Sequence, residues 1–367
     1  MARIEPGATI GIIGGGQLGR MLAIAAARLG YRTHVFTPET DSPAQQVASQ
    51  TTIAPYDDIA ALKAFAESVA AVTYEFENIP HASLEFLEKT VLVSPSADIL
   101  RLSQHRSREK AMLRDYNIAI APYRDVTSAE TLRQACEQIG RPGVLKTAEL
   151  GYDGKGQIKI DANTDYAEAW ARLGTAEAVY EAFIQFECEI SVIVARNEMS
   201  GCVAFPPVQN IHVNHILDTT IAPAPIEKHV RREAVRIAKA IAEALDLHGI
   251  LAVEMFVTRE GNVLVNELAP RPHNSGHWTI DACVTSQFEQ AIRAICGLPL
   301  GSPRRLYNAV MKNLVGKDVL KWYDYLQEPN TKVHLYGKKE VREGRKMGHV
   351  TRLGKKAKPA KFKWSIL

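Results

Sequence analysis

Residues 266 to 278, from Asn266 through Trp278, hold a carboxylate, an arginine, two histidines, two asparagines and a serine. Pro270, Pro272 and Gly276 interrupt any regular element after Glu267, so these groups sit on a shaped loop. Polar side chains at this density suit a site that binds or reacts rather than a core. The stretch upstream adds a second carboxylate. Gly249 to Val257 reads as a buried strand, Arg259 to Asn262 as a hairpin turn and Val263 to Glu267 as the return strand. With the turn centred on Glu260 and Gly261, cross-strand partners have positions summing to 521, and Glu254 and Glu267 satisfy that sum. They are expected to face each other with Cβ atoms about 5 Å apart. Two like charges so close among apolar residues are costly. Either they share a proton, or they are solvated on an open hairpin, or a cation lies between them. Mg²⁺ takes oxygen ligands and commonly uses one or two carboxylates plus substrate phosphates.

The elements that must position these groups begin with an α/β unit over residues 8 to 100. Thr9 to Ile13, Tyr31 to Phe36 and Ala70 to Thr73 read as strands; Arg20 to Leu29 and Ala60 to Ser68 read as helices. That alternation indicates a parallel sheet with ligands at the carboxyl ends of its strands. Gly14, Gly16 and Gly19 fit G-x-G-x-x-G, and Glu39 follows 20 residues after Gly19. Alone, this favours a dinucleotide such as NAD, although the glycines require only that a phosphate or backbone approach a helix N-terminus. A charged helix is expected over Ser103 to Tyr116, and a short strand over Gly143 to Lys146. A loop with three glycines, Gly151, Gly154 and Gly156, follows that strand. Its N–H groups can wrap phosphates, and a lysine at the end of an apolar strand calls for an anion. Val179 to Ile184 reads as another strand, followed by Glu189 heading an apolar run. Glu233 to Leu245 reads as an amphipathic helix, and residues 306 to 350 as β-rich.

Composition is that of a soluble globular chain of two or three domains: 367 residues, 46% hydrophobic and 23% charged. There is no apolar run of about 18 residues that would span a membrane. Five scattered cysteines suit a reducing cytosol, and residues 1 to 4 carry no signal-peptide pattern, so a cytoplasmic enzyme is expected. Residues 335 to 363 hold 11 Lys and Arg against 2 Glu, a local charge of +9 within a net +3. Such a tail could contact nucleic acid. We read residues 337 to 349 instead as a hairpin presenting cations, and Lys355 to Lys363 as a solvated end.

Taken in order, these parts resemble the ATP-grasp superfamily across essentially the whole chain. The runs Gly14 to Arg20, Gly151 to Gln157, Asn266 to Arg271 and His273 to Trp278 are similar to those of one family within it, the 5-(carboxyamino)imidazole ribonucleotide synthases. The resemblance implies an α/β and α+β protein. Its parts would be a Rossmann-like pre-ATP-grasp domain over 1–102, an ATP-grasp small (lid) subdomain over 103–178, a large subdomain with the metal site over 179–300, and a β-rich C-terminal region with a basic tail over 301–367. It implies a ligase of de novo purine biosynthesis that uses ATP and Mg²⁺ to carboxylate 5-aminoimidazole ribonucleotide with bicarbonate, as a homodimer. Formate-dependent formylation of glycinamide ribonucleotide is the alternative activity.

By position, the resemblance assigns ATP to Arg106, Lys146, Gly151, Tyr152, Asp153, Gly154, Lys155, Gly156, Gln157, Glu181, Ala182, Phe183, Ile184, Glu189, His212, Asn266 and Glu267, and Mg²⁺ to Glu254 and Glu267. Many relatives place an Asn where this chain has Ala269, and Asn266 or water is the substitute considered. The ribonucleotide would meet Gly16, Gln17, Leu18, Glu75, Asp153, Arg271, His273, Asn274, Ser275, Arg342 and Lys346, with its phosphate at the glycine turn. Arg271 and Lys346 are expected to handle the bicarbonate and phosphate ends, and His273 with Tyr152 the reacting carboxyl group. Departing phosphate, Glu75 or His273 would accept the amine proton.

Overall fold

A computed structural model describes residues 3–149 and 156–356. The N-terminal unit is a five-stranded parallel sheet. Its spatial order is Gln50–Ile53, Arg32–Thr37, Thr9–Ile13, Ala71–Tyr74, Leu92–Val93. Thr9–Ile13 and Ala71–Tyr74 are buried on both faces, which is why they read as unbroken apolar runs. The chain first winds outward from Thr9–Ile13 in one direction and then returns to its other side. The glycine turn and Glu75 therefore meet at the carboxyl ends of two adjacent strands, where such sheets bind ligands.

The helical stretch that follows is two helices, Ala97–Ser103 and Arg106–Asp115, so the helix expected over Ser103 to Tyr116 runs only from Arg106 to Asp115. Gln104 breaks it: its side-chain amide donates to the carbonyls of Glu77 and Ile79, each at 2.6 Å. The Arg106 N–H donates to the Ala148 carbonyl at 2.9 Å, so a new helix starts there. The break buries Glu109 and Lys110 and brings Arg106 to the cavity.

A four-stranded antiparallel sheet follows, in the order Tyr123–Val126, Ala178–Ala182, Gly143–Thr147, Gln157–Ile160. It has its own core, including Leu132, Leu145, Ile160 and Tyr180. The third sheet is the largest. It runs Val263–Ala269, Gly249–Thr258, Phe186–Asn197, Val208–Val213, Ile216–Ala222, Tyr307–Val315, Lys346–Lys356, Thr331–Leu335, with Gly201–Ala204 paired to Phe186–Asn197. The β-rich C-terminal region thus continues the same sheet. On Gly249–Thr258, Val253, Met255 and Val257 pack under the helix Lys228–Ala244 against Ile237 and Ile241. Burying each such side chain contributes about 1.5–3 kcal/mol. Strand alternation turns Glu254 and Phe256 the other way, into the cavity.

Candidate active site

Glu254 and Glu267 pair across the hairpin as expected, but by a different route. The turn is one residue longer than the two-residue loop assumed: Thr258 N–H donates to the Asn262 carbonyl at 2.9 Å, and Gly261 takes φ +82°. Val257 pairs with Val263 and Met255 with Val265. A bulge at Asn266 then restores the register at Glu267. Because a bulge lets consecutive residues share a face, Asn266 and Glu267 both line the cavity. Asn266 Oδ1 is buried and has no hydrogen-bond partner. Two carboxylates and an orphaned amide oxygen are a donor set that fits a hard divalent cation, with the Asn266 oxygen on hand where Ala269 offers none. Among the described residues no group of three or more His, Cys, Asp or Glu is gathered for a metal.

The cavity has a volume of about 670 Å³. One end gathers lysines, carboxylates and aromatic rings. Lys146 Nζ lies 3.0 Å from Glu181 Oε2, and Lys110 Nζ lies 3.2 Å from its Oε1. Burial alone would raise the Glu181 carboxyl; Lys146 and Lys110 override it and hold it down at about 2. Burial lowers the Lys146 ammonium. The Glu181 side chain, expected on ATP, lines the cavity and clamps the two lysines. Glu189 Oε2 and His212 Nδ1 lie 2.7 Å apart, and that contact raises the imidazole against the opposing effect of burial. Ala182, Phe183 and Ile184 line the same wall. Phe183 and Phe186 stay exposed there, and Phe186 stacks on Phe256 at 4.8 Å. Arg106 Nη1 reaches Glu267 Oε2 at 3.5 Å. Gln157 lines the cavity; Gly156 does not, its carbonyl accepting from Thr147 N–H. Gly151, Tyr152, Asp153, Gly154 and Lys155 lie outside the described residues.

At the other end, Arg271 pairs with Glu77, His273 Nε2 sits 2.8 Å from Glu254 Oε1, and Asn274 and Lys346 line the wall. Asn274 has neither amide atom hydrogen-bonded although both are buried, and Arg271 Nε is likewise unpartnered. Three expectations need correcting here. Gly16 does not line the cavity: its N–H and that of Gly19 donate to the Glu75 carboxylate, the second at 2.7 Å, while Gln17 and Leu18 of the same turn do line it. Burial raises this carboxyl, and the two N–H groups oppose the rise. Ser275 is fully buried with its hydroxyl on His273, away from the cavity. Arg342 is exposed, pairs with Glu340 and does not line the cavity.

Sequence reasoning missed Glu77, Gln104, Glu109, Phe256 and His277, all of which line the cavity. Glu109 carried the weakest signal, one carboxylate in a charged helix. In the fold it is buried, which pushes its carboxyl up to about 8 even with Lys110 opposing.

A parallel-sheet domain, a small antiparallel clasp and a large sheet carrying paired carboxylates over one cavity together define an ATP-grasp enzyme. Comparisons with known proteins agree. Residues 111–288 match the ATP-grasp domain, residues 7–104 the ribonucleotide synthetase preATP-grasp domain, and residues 309–362 the phosphoribosylaminoimidazole carboxylase C-terminal domain. The N5-carboxyaminoimidazole ribonucleotide synthase of Brucella melitensis is 47% identical over 95% of this chain and 97% of its own length. A bifunctional purine synthesis protein of Dictyostelium discoideum is 48% identical over 95% of this chain, which spans 37% of that longer protein. The crystal structure of an N5-carboxyaminoimidazole ribonucleotide synthetase with ADP superposes with a TM-score of 0.93 at 46% identity, covering 96% of this chain and 94% of that one. An Aspergillus clavatus synthase bound to ADP and 5-aminoimidazole ribonucleotide superposes at 0.88 and 30% identity, covering 95% and 94%. The chain belongs to the N5-carboxyaminoimidazole ribonucleotide synthases, ATP-dependent ligases of the ATP-grasp class.

Proposed function

We propose that this chain couples ATP hydrolysis to carboxylation of 5-aminoimidazole ribonucleotide, with bicarbonate activated as carboxyphosphate. The observation that carries the reading is one cavity lined at one end by Lys146, Glu189, Glu254 and Glu267 and at the other by Arg271, His273, Asn274 and Lys346. Bicarbonate is a poor electrophile, and phosphorylation turns its oxygen into a leaving group. Bringing ATP and bicarbonate together requires charge neutralisation. Lys146 and Arg106 are placed for the phosphates. Phe183, Phe186 and Phe256 offer flat apolar surface to the adenine, and Glu189 with His212 a polar pair to the ribose. Glu254, Glu267 and Asn266 would hold Mg²⁺, which when bound spreads the charge of the phosphoryl group. Arg271, held by Glu77, takes the bicarbonate, and the unpartnered Asn274 amide takes the ribonucleotide beside Gln17, Leu18 and Glu75. Lys346 draws its phosphate away from the glycine turn, whose N–H groups Glu75 already uses.

No helix among the described residues is long and apolar enough to cross a membrane, and the reading places the enzyme in the cytoplasm. A homodimer is part of the same proposal. The exposed Leu320, Trp322, Tyr323 and Leu326 are a surface a second copy would cover.

Steady-state ADP release, with each substrate omitted in turn, tests the reading. Release should require 5-aminoimidazole ribonucleotide and bicarbonate together. Release supported equally by glycinamide ribonucleotide and formate would overturn it.

A further inference from the structure

Behind His273 lies a line of buried polar side chains that crosses three strands of the large sheet. Thr220, on Ile216–Ala222, donates from its hydroxyl to Asn210 Oδ1 at 3.1 Å. Asn210, on Val208–Val213, donates from Nδ2 to Ser191 Oγ at 3.0 Å. Ser191, on Phe186–Asn197, donates to Ser275 Oγ at 2.7 Å. Ser275 Oγ lies 2.8 Å from His273 Nδ1, and His273 Nε2 lies 2.8 Å from Glu254 Oε1. Ser191, Asn210, Thr220 and Ser275 are all buried. Apolar residues would fill these positions at less risk, since each buried polar group must find a partner.

The line has a direction. A hydroxyl has one hydrogen to give. Ser275 accepts from Ser191, so its own hydrogen is left for His273 Nδ1. A second, independent donor points the same way: the Ser275 backbone N–H lies 3.4 Å from Nδ1, and a peptide N–H can only donate. With two donors aimed at it, Nδ1 presents its lone pair. The ring proton is then on Nε2, aimed at Glu254.

We propose that Ser191 and Asn210 are positioning residues of this enzyme. They hold the His273 proton on Nε2 and so keep one Glu254 oxygen hydrogen-bonded and that carboxylate fixed in orientation. Neither touches the cavity; they act through Ser275 and His273, and the cross-strand pairing of Ser191 with Glu254 keeps those two residues on neighbouring strands. The inference rests on the reading that the Glu254–His273 contact lies where the two ends of the cavity meet.

The test is long-range ¹H–¹⁵N correlation on the full chain labelled with ¹⁵N-histidine, with the His273 signals assigned by their loss in His273→Gln. Wild type should show Nδ1 unprotonated and Nε2 protonated. A protonated Nδ1 in wild type would overturn the inference without any further variant. Ser191→Ala frees the Ser275 hydroxyl to turn, so the His273 signals should become those of mixed tautomers. Its kcat should fall about tenfold or more with KM for ATP unchanged, and Ser191→Thr, which keeps the hydroxyl, should restore both. Wild-type signals and kcat in Ser191→Ala would refute the role. So would equal losses in Ser191→Ala and Ser191→Thr, which mark packing alone. The spectra need no substrate, so a wild type that shows no ribonucleotide-dependent ADP release would count against the proposed reaction and leave the tautomer measurement standing.

Discussion

At the scale of single residues, several of the cavity's carboxylates have a cation of their own: Glu77 has Arg271, Glu267 has Arg106 and Glu181 has two lysines. Arg271 answers Glu77, and burial, which would otherwise raise the Glu77 carboxyl, is overridden by that guanidinium. Arg271→Ala leaves the half-buried Glu77 without that counter-charge, a loss of about 1–3 kcal/mol. Urea denaturation should show it, and bicarbonate-dependent turnover should fall about 100-fold. Full turnover in that variant would remove Arg271 from the chemistry. Glu109 gives a prediction of opposite character. Its folded value of about 8 lies above the ordinary carboxyl value because of burial. A raised acid contributes stability that is complete below its unfolded value, about 4.3, and lost as pH rises through 8. Wild type should therefore lose stability between pH 5 and 8 relative to Glu109→Gln, on the order of a few kcal/mol. Parallel urea midpoints for the two proteins across that range would refute it. Glu109 was hard to single out in the sequence because its role depends on a helix break that Gln104 makes with carbonyls 25 and 27 residues away.

At the scale of elements, the carboxylate hairpin was legible because two departures cancel. The turn is a residue longer than assumed, which lowers the pairing sum by one, and the bulge at Asn266 adds it back. Hydrophobic alternation located the strands, but nothing local marks a bulge. The glycine turn was legible as a turn and illegible as to its occupant, since Glu75 comes from a strand about sixty positions further on and pairs only through the sheet order. Gly14 and Gly16 pack directly on that carboxylate, and an ideal Cβ at Gly16 would stand 2.5 Å from Glu75 Oε1. Gly16→Ala should push Glu75 off the turn, costing about 1–3 kcal/mol and raising KM for the ribonucleotide with little change in KM for ATP. An equal rise in both KM values would argue against the separate ends of the cavity.

At the scale of the molecule, one core runs from Ile10 and Leu22 of the N-terminal sheet through Ile193, Ile250 and Phe288 to Met311 and Tyr336. The antiparallel clasp keeps a separate core of its own. The clasp should thus open alone, independently of the two larger sheets. Hydrogen exchange should be faster across that clasp than across residues 186 to 315, and ATP should slow the clasp selectively. Uniform protection would contradict two cores.

The continuity of the large sheet has a geometric consequence. From the strand bearing Glu267 to the strand that begins at Lys346 is six steps across the sheet. Laid flat, at about 4.8 Å per step, those residues would stand almost 30 Å apart, yet both line one cavity. Sheets of this size twist and coil rather than lie flat, and the gap between those two strands measures that curvature. The distance over which a carboxyl group travels is then set by how tightly one surface is rolled. Any change that flattens the middle strands would lengthen it without touching a single reacting atom.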